Sequence, residues 1–139
     1  MNIEELIKQS NTVNILAKGS TKMAQKMLSE NETAVAAINA NVATVSSDTK
    51  LNLNGILQLK DKQNGVIVLT NKRIYFCSSI LGRATSKEIL LKNIQSIDIA
   101  YSIIGFGQLR IKGITEYLII DGKKDVLNSF KNSINNSLN

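Results

Sequence analysis

The sequence predicts an α+β fold in which an antiparallel β-barrel or sandwich is closed by a C-terminal helix. The first observation behind this prediction is that short apolar runs, separated by turns rich in Gly, Asn and Asp, recur about every ten residues through most of the chain. The second is that the period changes at Asp121-Gly122, after which apolar residues recur at helical spacing over residues 123–137. Strands followed by one terminal helix are typical of α+β domains.

Residues 65–77 are the most hydrophobic ordered part of the chain and predict its central β-hairpin. Two apolar runs flank the polar pair Asn71-Lys72, and Asn tolerates the positive φ that a two-residue turn requires. The run from Val66 to Leu69 has no polar residue in alternation. Both faces of this strand are therefore expected to be covered.

Further strands are predicted on either side of the hairpin. They are residues 35–38, a short or irregular strand within 51–59, and residues 85–91, 97–101, 108–111 and 117–120. Loops are expected at 45–50 and 60–65, an exposed tip at 80–83, and a glycine turn at 105–107 carrying an exposed or half-buried Phe106. Alternation places Gln108 and Arg110 on the opposite strand face from Leu109 and Ile111. Asp121 is expected to cap the terminal helix.

Residues 3–29 are predicted to form two amphipathic helices, with Gly19 ending the first and Ser20 capping the second. Their apolar stripe could bury against the chain's own sheet, a second copy or a lipid surface. It lacks Trp and Phe, which favours protein over lipid. We expect self-association or docking to a partner, and hence an oligomer, through a set of apolar residues. These are Leu6, Ile7, Leu16, Met27 and Leu28.

Composition excludes several classes of function. The chain has 139 residues and is 43% hydrophobic, which suffices for one core without disulfide or metal staples. Histidine is absent and Cys77 is the single cysteine, so Ser-His-Asp, Cys-His and thiolate or histidine zinc sites cannot be built. Cys77 is expected to be a small buried hydrophobe. No catalytic residue, cofactor or metal is predicted.

The N-terminus predicts a cytoplasmic protein, because it is acidic and has no apolar leader segment. No apolar run approaches the ~18 residues of a membrane span. Domain organisation is predicted as a helical extension over residues 1–30 and a single domain over residues 31–139.

The charge balance permits anionic partners, since 17 Lys and Arg against 11 Asp and Glu leave a net charge of +6. Lys60, Lys62 and Lys72 are expected to cluster at one end of the sheet, because the turns that carry them border the hairpin strands. Two interpretations are open: the cluster binds anionic lipid, with each lysine contributing about 1 kcal/mol, or the three lysines lie in solvated turns without a ligand. Aromatic residues make up only 4% of the chain, which leaves few platforms for base stacking and argues against nucleic acid.

Arg73 has two interpretations. As a binding residue, its guanidinium would fork onto the phosphate or carboxylate of a ligand, beside the three lysines. As a structural residue, it would pin the hairpin to a carboxylate on a neighbouring strand, with Glu88 and Asp98 as candidates.

The hairpin sequence resembles that of a known family. Residues 65–76, GVIVLTNKRIYF, resemble the G-x-x-x-L-T-x-x-R-hydrophobic-x-F hairpin of bacterial pleckstrin-homology-like domains of the YokE type. Residues 89–97 are similar to that family's next signature, L-x-x-I-x-S-hydrophobic, and residues 107–111 to its following strand. The resemblance covers residues 32–138. It implies a bent seven-stranded barrel-like sandwich capped by a C-terminal helix, no established enzymatic activity, frequent multimers, and protein or lipid binding.

The chain departs from eukaryotic lipid-binding pleckstrin domains in two respects. The basic K-x(n)-K/R-x-R signature near the first hairpin is not cleanly present, and the tryptophan of the final helix is absent, with Phe130 expected in its place. The predicted function is a non-catalytic binding module that presents a protein-interaction or anionic-lipid surface. The alternatives are a basic nucleic-acid-binding domain and a small enzyme using carboxylate and lysine groups.

Overall fold

The computed structural model describes residues 1–52 and 55–139. Its seven strands form one antiparallel sheet in the order β4-β3-β2-β1-β7-β6-β5. The helices are α1 (Ile3–Gln9), α2 (Lys18–Met27) and α3 (Lys124–Leu138), with 3-10 turns at Ile15–Ala17 and Leu91–Asn93. The strands are β1 (Ala34–Ser46), β2 (Gln63–Thr70), β3 (Arg73–Ile80), β4 (Arg83–Leu90), β5 (Ser96–Tyr101), β6 (Phe106–Lys112) and β7 (Glu116–Lys123). The predicted α+β fold with its terminal helix is confirmed.

Strand β1 joins the two halves of the sheet. Its N-terminal part pairs with β2 through Val42, and its C-terminal part pairs with β7 from Asn41 onward. It is 13 residues long, whereas residues 35–38 alone were predicted and Val45 was assigned to a loop. The Ala-rich sequence has no strong preference of its own, so pairing on two edges decides the strand's length.

The central hairpin lies at the predicted position, but its turn is built differently. Asn71 does not adopt a positive φ. Instead, the hydroxyl oxygen of Thr70 accepts hydrogen bonds from the backbone N–H groups of Lys72 and Arg73, both at 3.0 Å. A threonine hydroxyl therefore stabilises this turn, as Ser and Thr side chains commonly do.

Strand β2 is covered on both faces, as predicted. Its inner-face residues Ile67 and Leu69 belong to the main core, which includes Leu127 and Phe130 of α3. Its outer-face residues belong to a second core, closed by α1 and α2. Members of this outer core are Ile3, Ile7, Ala24, Ala37, Val66, Val68, Tyr75 and Cys77.

The break between the N-terminal helices is not where the sequence suggested. Helix α1 ends at Gln9, and Gly19 and Ser20 both lie inside α2. A Cβ atom on Gly19 would lie 3.0 Å from the carbonyl oxygen of Ser79, and the Ser20 hydroxyl accepts a hydrogen bond from the Ser79 N–H at 2.8 Å. These two residues bring α2 close to β3, and neither ends a helix.

Two other expectations were wrong. Asp121 does not cap α3: it lies in β7, pairs with Lys62, and accepts a hydrogen bond from the Gln108 amide at 2.8 Å. The N-cap position is Lys123, without a side-chain cap. The described part of residues 51–59 contains no strand, and residues 53 and 54 lie outside the described residues.

Among the described residues, no helix has the length and apolar character needed to span a membrane.

Candidate functional site

Large apolar side chains are exposed on the loop between β5 and β6. The side chains of Ile103 and Ile104 are 102% and 78% exposed, and Phe106 is about half exposed, as predicted for the glycine turn. Exposed apolar side chains that lie together are typical of interaction surfaces, because exposure to water costs free energy that a partner recovers.

The backbone of this loop is held in place by hydrogen bonds. The Ser102 N–H donates to the carbonyl oxygen of Phe106 at 2.9 Å, and the Lys124 N–H donates to the carbonyl oxygen of Gly105 at 3.0 Å. Gly105 has φ +86°, which suits glycine better than any other residue. The loop therefore presents the two isoleucines from a bonded backbone.

The N-terminal segment adds a second set of exposed apolar residues beside this loop. Val13, Ile15 and Phe106 line one cavity of about 560 Å³. The segment is fixed to β1 by Thr12, whose hydroxyl oxygen accepts from the Asn39 N–H at 2.9 Å. We call the combined surface the apolar end. It consists of Val13, Ile15, Leu16, Ile103, Ile104 and Phe106.

Lysines surround the apolar end. Lys123 lines the same cavity, and the Lys124 ammonium lies 4.9 Å from the centre of the Tyr101 ring. Lys18 and Lys22 line a neighbouring cavity with Val13 and Ile15. None of the ion pairs among the described residues includes any of these four lysines. The apolar end is therefore bordered by lysines that form no ion pair with a carboxylate of the described residues.

The lysines predicted to form an anion site do not cluster. Lys62 precedes β2 and Lys72 follows it, so the eight residues of that strand separate them. That length corresponds to about 25 Å at the usual rise per residue. The clustering was wrong because turns at the two ends of one strand are not neighbours. Lys60 lies beside Lys62, which pairs with Asp121. Anion binding by these lysines stays a prediction.

Arg73 is fully engaged within the protein. Its guanidinium donates to the carboxylates of Glu32 and Glu88, each at 2.8 Å, and to the carbonyl oxygen of Met27 at 2.7 Å. It also lies over the ring of Tyr75, 4.5 Å from the centre. Glu88 was one of the two predicted partners, and Glu32 was not predicted. This geometry supports the structural interpretation of Arg73 over the ligand-binding one.

The carboxylate of Glu32 is the buried centre of this cluster. Burial alone would raise its pKa, but hydrogen bonds from Arg73, Thr70 and the Ser29 N–H lower it to about 2. Glu32 is therefore ionised, and its charge is used to join the hairpin to the chain that follows α2.

The residues predicted to contact a partner separate into two groups. Ile7 is buried in the outer core, and Leu6, Met27 and Leu28 are half-buried against it, so they cover the chain's own sheet. Leu16 is 77% exposed and belongs to the apolar end. Self-association stays a prediction, with Leu16 as the member of the set that is on the surface.

Sequence reasoning did not identify the role of Arg110. This side chain is 1% exposed and donates to the carbonyl oxygens of Asn52 and Gly55 at 2.7 and 2.6 Å, and to the Gln108 amide at 3.1 Å. Burial lowers the pKa of Arg110, opposed by the charge of Asp98. Arg110 holds the β1–β2 connection over the sheet, and that irregular connection has no periodicity that could have predicted the contact.

The described residues also bear on enzymatic chemistry. Cys77 is completely buried, as predicted, and burial raises the pKa of its thiol to about 12, which opposes reactivity. Within residues 1–52 and 55–139, no group of three or more His, Cys, Asp or Glu side chains could hold a metal ion.

The seven-stranded antiparallel sheet closed by a C-terminal helix is a pleckstrin-homology-like (PH-like) fold, and this fold suggests a non-catalytic binding module. A family model described as "Bacterial PH domain" matches residues 28–136, and the chain belongs to that family. No curated protein matches this sequence.

Solved structures resemble the fold at low sequence identity. The Vps36 N-terminal PH domain has a TM-score of 0.58 and 17% identity, covering 81% of this chain and 83% of its own. The C-terminal domain of an unknown protein from Leishmania infantum has a TM-score of 0.57 and 14% identity, covering 99% of this chain and 100% of its own. At these identities the likeness shows the fold alone.

Proposed function

We propose that this protein is a non-catalytic binding module that docks its apolar end onto an anionic membrane surface. The observation that carries the proposal is the exposed pair Ile103 and Ile104 next to Lys123 and Lys124. PH domains in general mediate protein or lipid interactions. Apolar side chains with unpaired lysines beside them match the acyl and headgroup layers of a membrane with anionic lipids.

The binding free energy expected from these side chains suits reversible binding. Each isoleucine side chain that leaves water contributes about 1.5–3 kcal/mol, and each lysine near an anionic surface about 1 kcal/mol. The free energy contributed by two isoleucines and several lysines must exceed the cost of the translational and rotational freedom lost on binding. That cost is at least ~4 kcal/mol. We therefore expect weak binding that depends on both lipid charge and salt concentration.

Vesicle sedimentation tests the apolar contribution. Wild-type protein is expected to sediment with vesicles of phosphatidylcholine and phosphatidylserine, and to remain in solution with phosphatidylcholine alone. The double variant Ile103→Ser, Ile104→Ser is expected to bind at least about tenfold more weakly, since two side chains no longer leave water. Ile114→Ser is the matched control. Ile114 is 59% exposed, but it lies in the β6–β7 turn, at the opposite end of β6 from Ile103 and Ile104.

A second set of variants tests the charge. Lys123→Ser and Lys124→Ser are each expected to weaken binding about fivefold at low salt, which corresponds to the contribution of one lysine. Lys72→Ser removes the same charge at the far end of β2 from the apolar end, so it separates the two lysine sites: binding as wild type is expected for docking through the apolar end, and weaker binding would support the site predicted at Lys60, Lys62 and Lys72. Equal binding to neutral vesicles, or no binding to any vesicle, would contradict the proposed function.

A further inference from the structure

A second cavity, of about 340 Å³, lies between α1 and α2 and adjoins the apolar end, with which it shares Val13 and Ile15. All of its lining residues except Asn39 precede residue 28, where the family match begins. Three lysines against one glutamate give the lining a net charge of +2. These charged residues are Glu4, Lys8, Lys18 and Lys22. The volume is within the range of small-molecule sites.

Two of these lysines lie on one face of α2 and are unpaired. Lys18 and Lys22 are four residues apart, which places their side chains next to each other on the helix. Neither takes part in an ion pair among the described residues. The Lys8 ammonium, by contrast, lies 3.6 Å from a carboxylate oxygen of Glu4. The one carboxylate on the lining is therefore matched by Lys8, and the net positive charge belongs to Lys18 and Lys22.

Asn14 adds a neutral donor to the same lining. Its side-chain oxygen accepts a hydrogen bond from the Leu16 N–H at 3.0 Å, which fixes the amide at the start of the 3-10 turn. The NH₂ group of Asn14 has no partner among the described residues. Two ammonium groups and one NH₂ group therefore remain for a ligand, and all three donate hydrogen bonds. A ligand that matches them is negatively charged and accepts hydrogen bonds at several atoms.

We propose that this cavity binds a phosphate monoester, a group found both in phosphatidic acid and in soluble compounds such as glycerol 3-phosphate. A phosphate monoester carries about −1.5 to −2 charges at pH 7 and three strong acceptor oxygens, which matches two lysines and one NH₂ group. A phosphate diester carries a single negative charge and would leave one lysine unmatched. For the lipid, the inference rests on the proposed function, because Val13 and Ile15 of the apolar end lie beside the headgroup.

Phosphatidic acid and phosphatidylglycerol separate a monoester from a diester. On vesicles matched in zeta potential, wild-type protein is expected to bind phosphatidic acid about fivefold more tightly, which corresponds to one further lysine contact. Lys22→Ser and Asn14→Asp are each expected to bring this ratio close to one, and Asp keeps the oxygen that accepts from Leu16. Lys26→Ser removes the same charge one turn further along α2, outside the cavity lining, and is expected to keep the ratio.

The remaining outcomes separate this inference from the proposed function. Equal binding of wild-type protein to both vesicles, or a preference that Lys22→Ser retains or Lys26→Ser loses, would overturn the monoester site and leave membrane docking standing. If wild-type protein binds neither vesicle, membrane docking is overturned, and nuclear magnetic resonance titration with glycerol 3-phosphate against dimethyl phosphate decides the cavity. A shift of the Asn14 side-chain NH₂ signals with glycerol 3-phosphate alone would support a site for a soluble monoester. The same shift with both probes, or with neither, would overturn it.

Discussion

The two faces of the central hairpin are covered in different ways. On the inner face, α3 packs by apolar contact, with Leu127, Phe130 and Ile134 all buried. On the outer face, α1 and α2 both make apolar contact, and α2 also accepts directional hydrogen bonds from the hairpin. The Tyr75 hydroxyl donates to the carbonyl oxygen of Ala24 at 2.7 Å, and the Cys77 thiol to that of Ser20 at 3.3 Å.

This difference follows the boundary of the family match. The inner cover is α3, and its buried residues lie within residues 28–136. The outer cover consists of α1 and α2, which lie before residue 28. The outer face of the hairpin is nevertheless as apolar as the inner face, since Val66 and Val68 are completely buried beneath the helices. The lesson is that the N-terminal helices complete the core of this domain, although the division into residues 1–30 and 31–139 stays a prediction.

Removing the outer cover is expected to have the largest effect. A chain lacking residues 1–27 exposes Val66, Val68, Tyr75 and Cys77, and each such side chain contributes about 1.5–3 kcal/mol when buried. The sum is comparable with the whole stability of a typical domain, so this chain should be unfolded or aggregated. Circular dichroism and light scattering on both chains measure the effect, and also test the predicted oligomer. Equal melting temperatures would show that the extension is a loose tail.

Breaking the inner cover should cost less but remain severe. Phe130→Ala removes a buried ring from the main core, which typically costs about 3–5 kcal/mol. Leu138→Ala on the same helix is the control, since Leu138 is exposed and should change the free energy of unfolding by less than about 0.5 kcal/mol. Urea unfolding of both variants measures the difference. A Phe130→Ala variant as stable as wild type would contradict the capping role of α3.

Sequence periodicity predicted the inner cover well and the outer cover less well. The hairpin and α3 were found because their apolar residues repeat at strand and helix spacing. Gly19 was assigned to a helix end because a local sequence cannot distinguish a helix-ending glycine from one that allows close packing against Ser79. The bond between Arg73 and Glu32 spans 41 residues of chain, and no local pattern indicates such a pairing.

The candidate site was predicted less well than the fold. Ile103 and Ile104 are two apolar residues next to a strand, and their sequence does not indicate that both side chains face solvent. Lys123 ends β7 and Lys124 begins α3, and only the pairing of β6 with β7, which sets Phe106 opposite Lys123, brings these two lysines to the β5–β6 loop. Exposure and strand pairing are properties of the tertiary structure, which is why composition could permit an anionic partner but could not indicate a surface for one.

Acid should weaken the attachment of α2 to the hairpin through Glu32. Its pKa falls from 4.5 in the unfolded chain to about 2 in the folded protein, so it stabilises the fold above about pH 4.5. This contribution, about 3 kcal/mol by linkage, is lost as pH decreases toward 2. Urea unfolding at a series of pH values from about 6 to about 2, a span that includes both pKa values, should show the decrease.

The matched comparison uses two neighbouring carboxylates. Glu32→Gln should be less stable than wild type at pH 6 and should lose part of the pH dependence. Glu30→Gln alters an exposed residue and should follow the wild-type profile. A Glu32→Gln profile parallel to that of wild type down to pH 2 would mean that Glu32 does not supply the acid sensitivity.

The smallest expected effect isolates one of the directional bonds on the outer face. Tyr75→Phe keeps the buried ring and removes the hydroxyl that donates to Ala24, so it should cost about 0.5–1.5 kcal/mol. Tyr101→Phe removes a bond of similar length, 2.8 Å to Asn128, at an exposed position, where water replaces the lost partner and the cost should be near zero. Hydrogen exchange of the α2 amides should increase in Tyr75→Phe and remain unchanged in Tyr101→Phe, because the hydroxyl of Tyr75 attaches that helix to β3. If both variants unfold at the wild-type urea midpoint with unchanged exchange, apolar contact alone holds α2, and the two covers of the hairpin do not differ in kind.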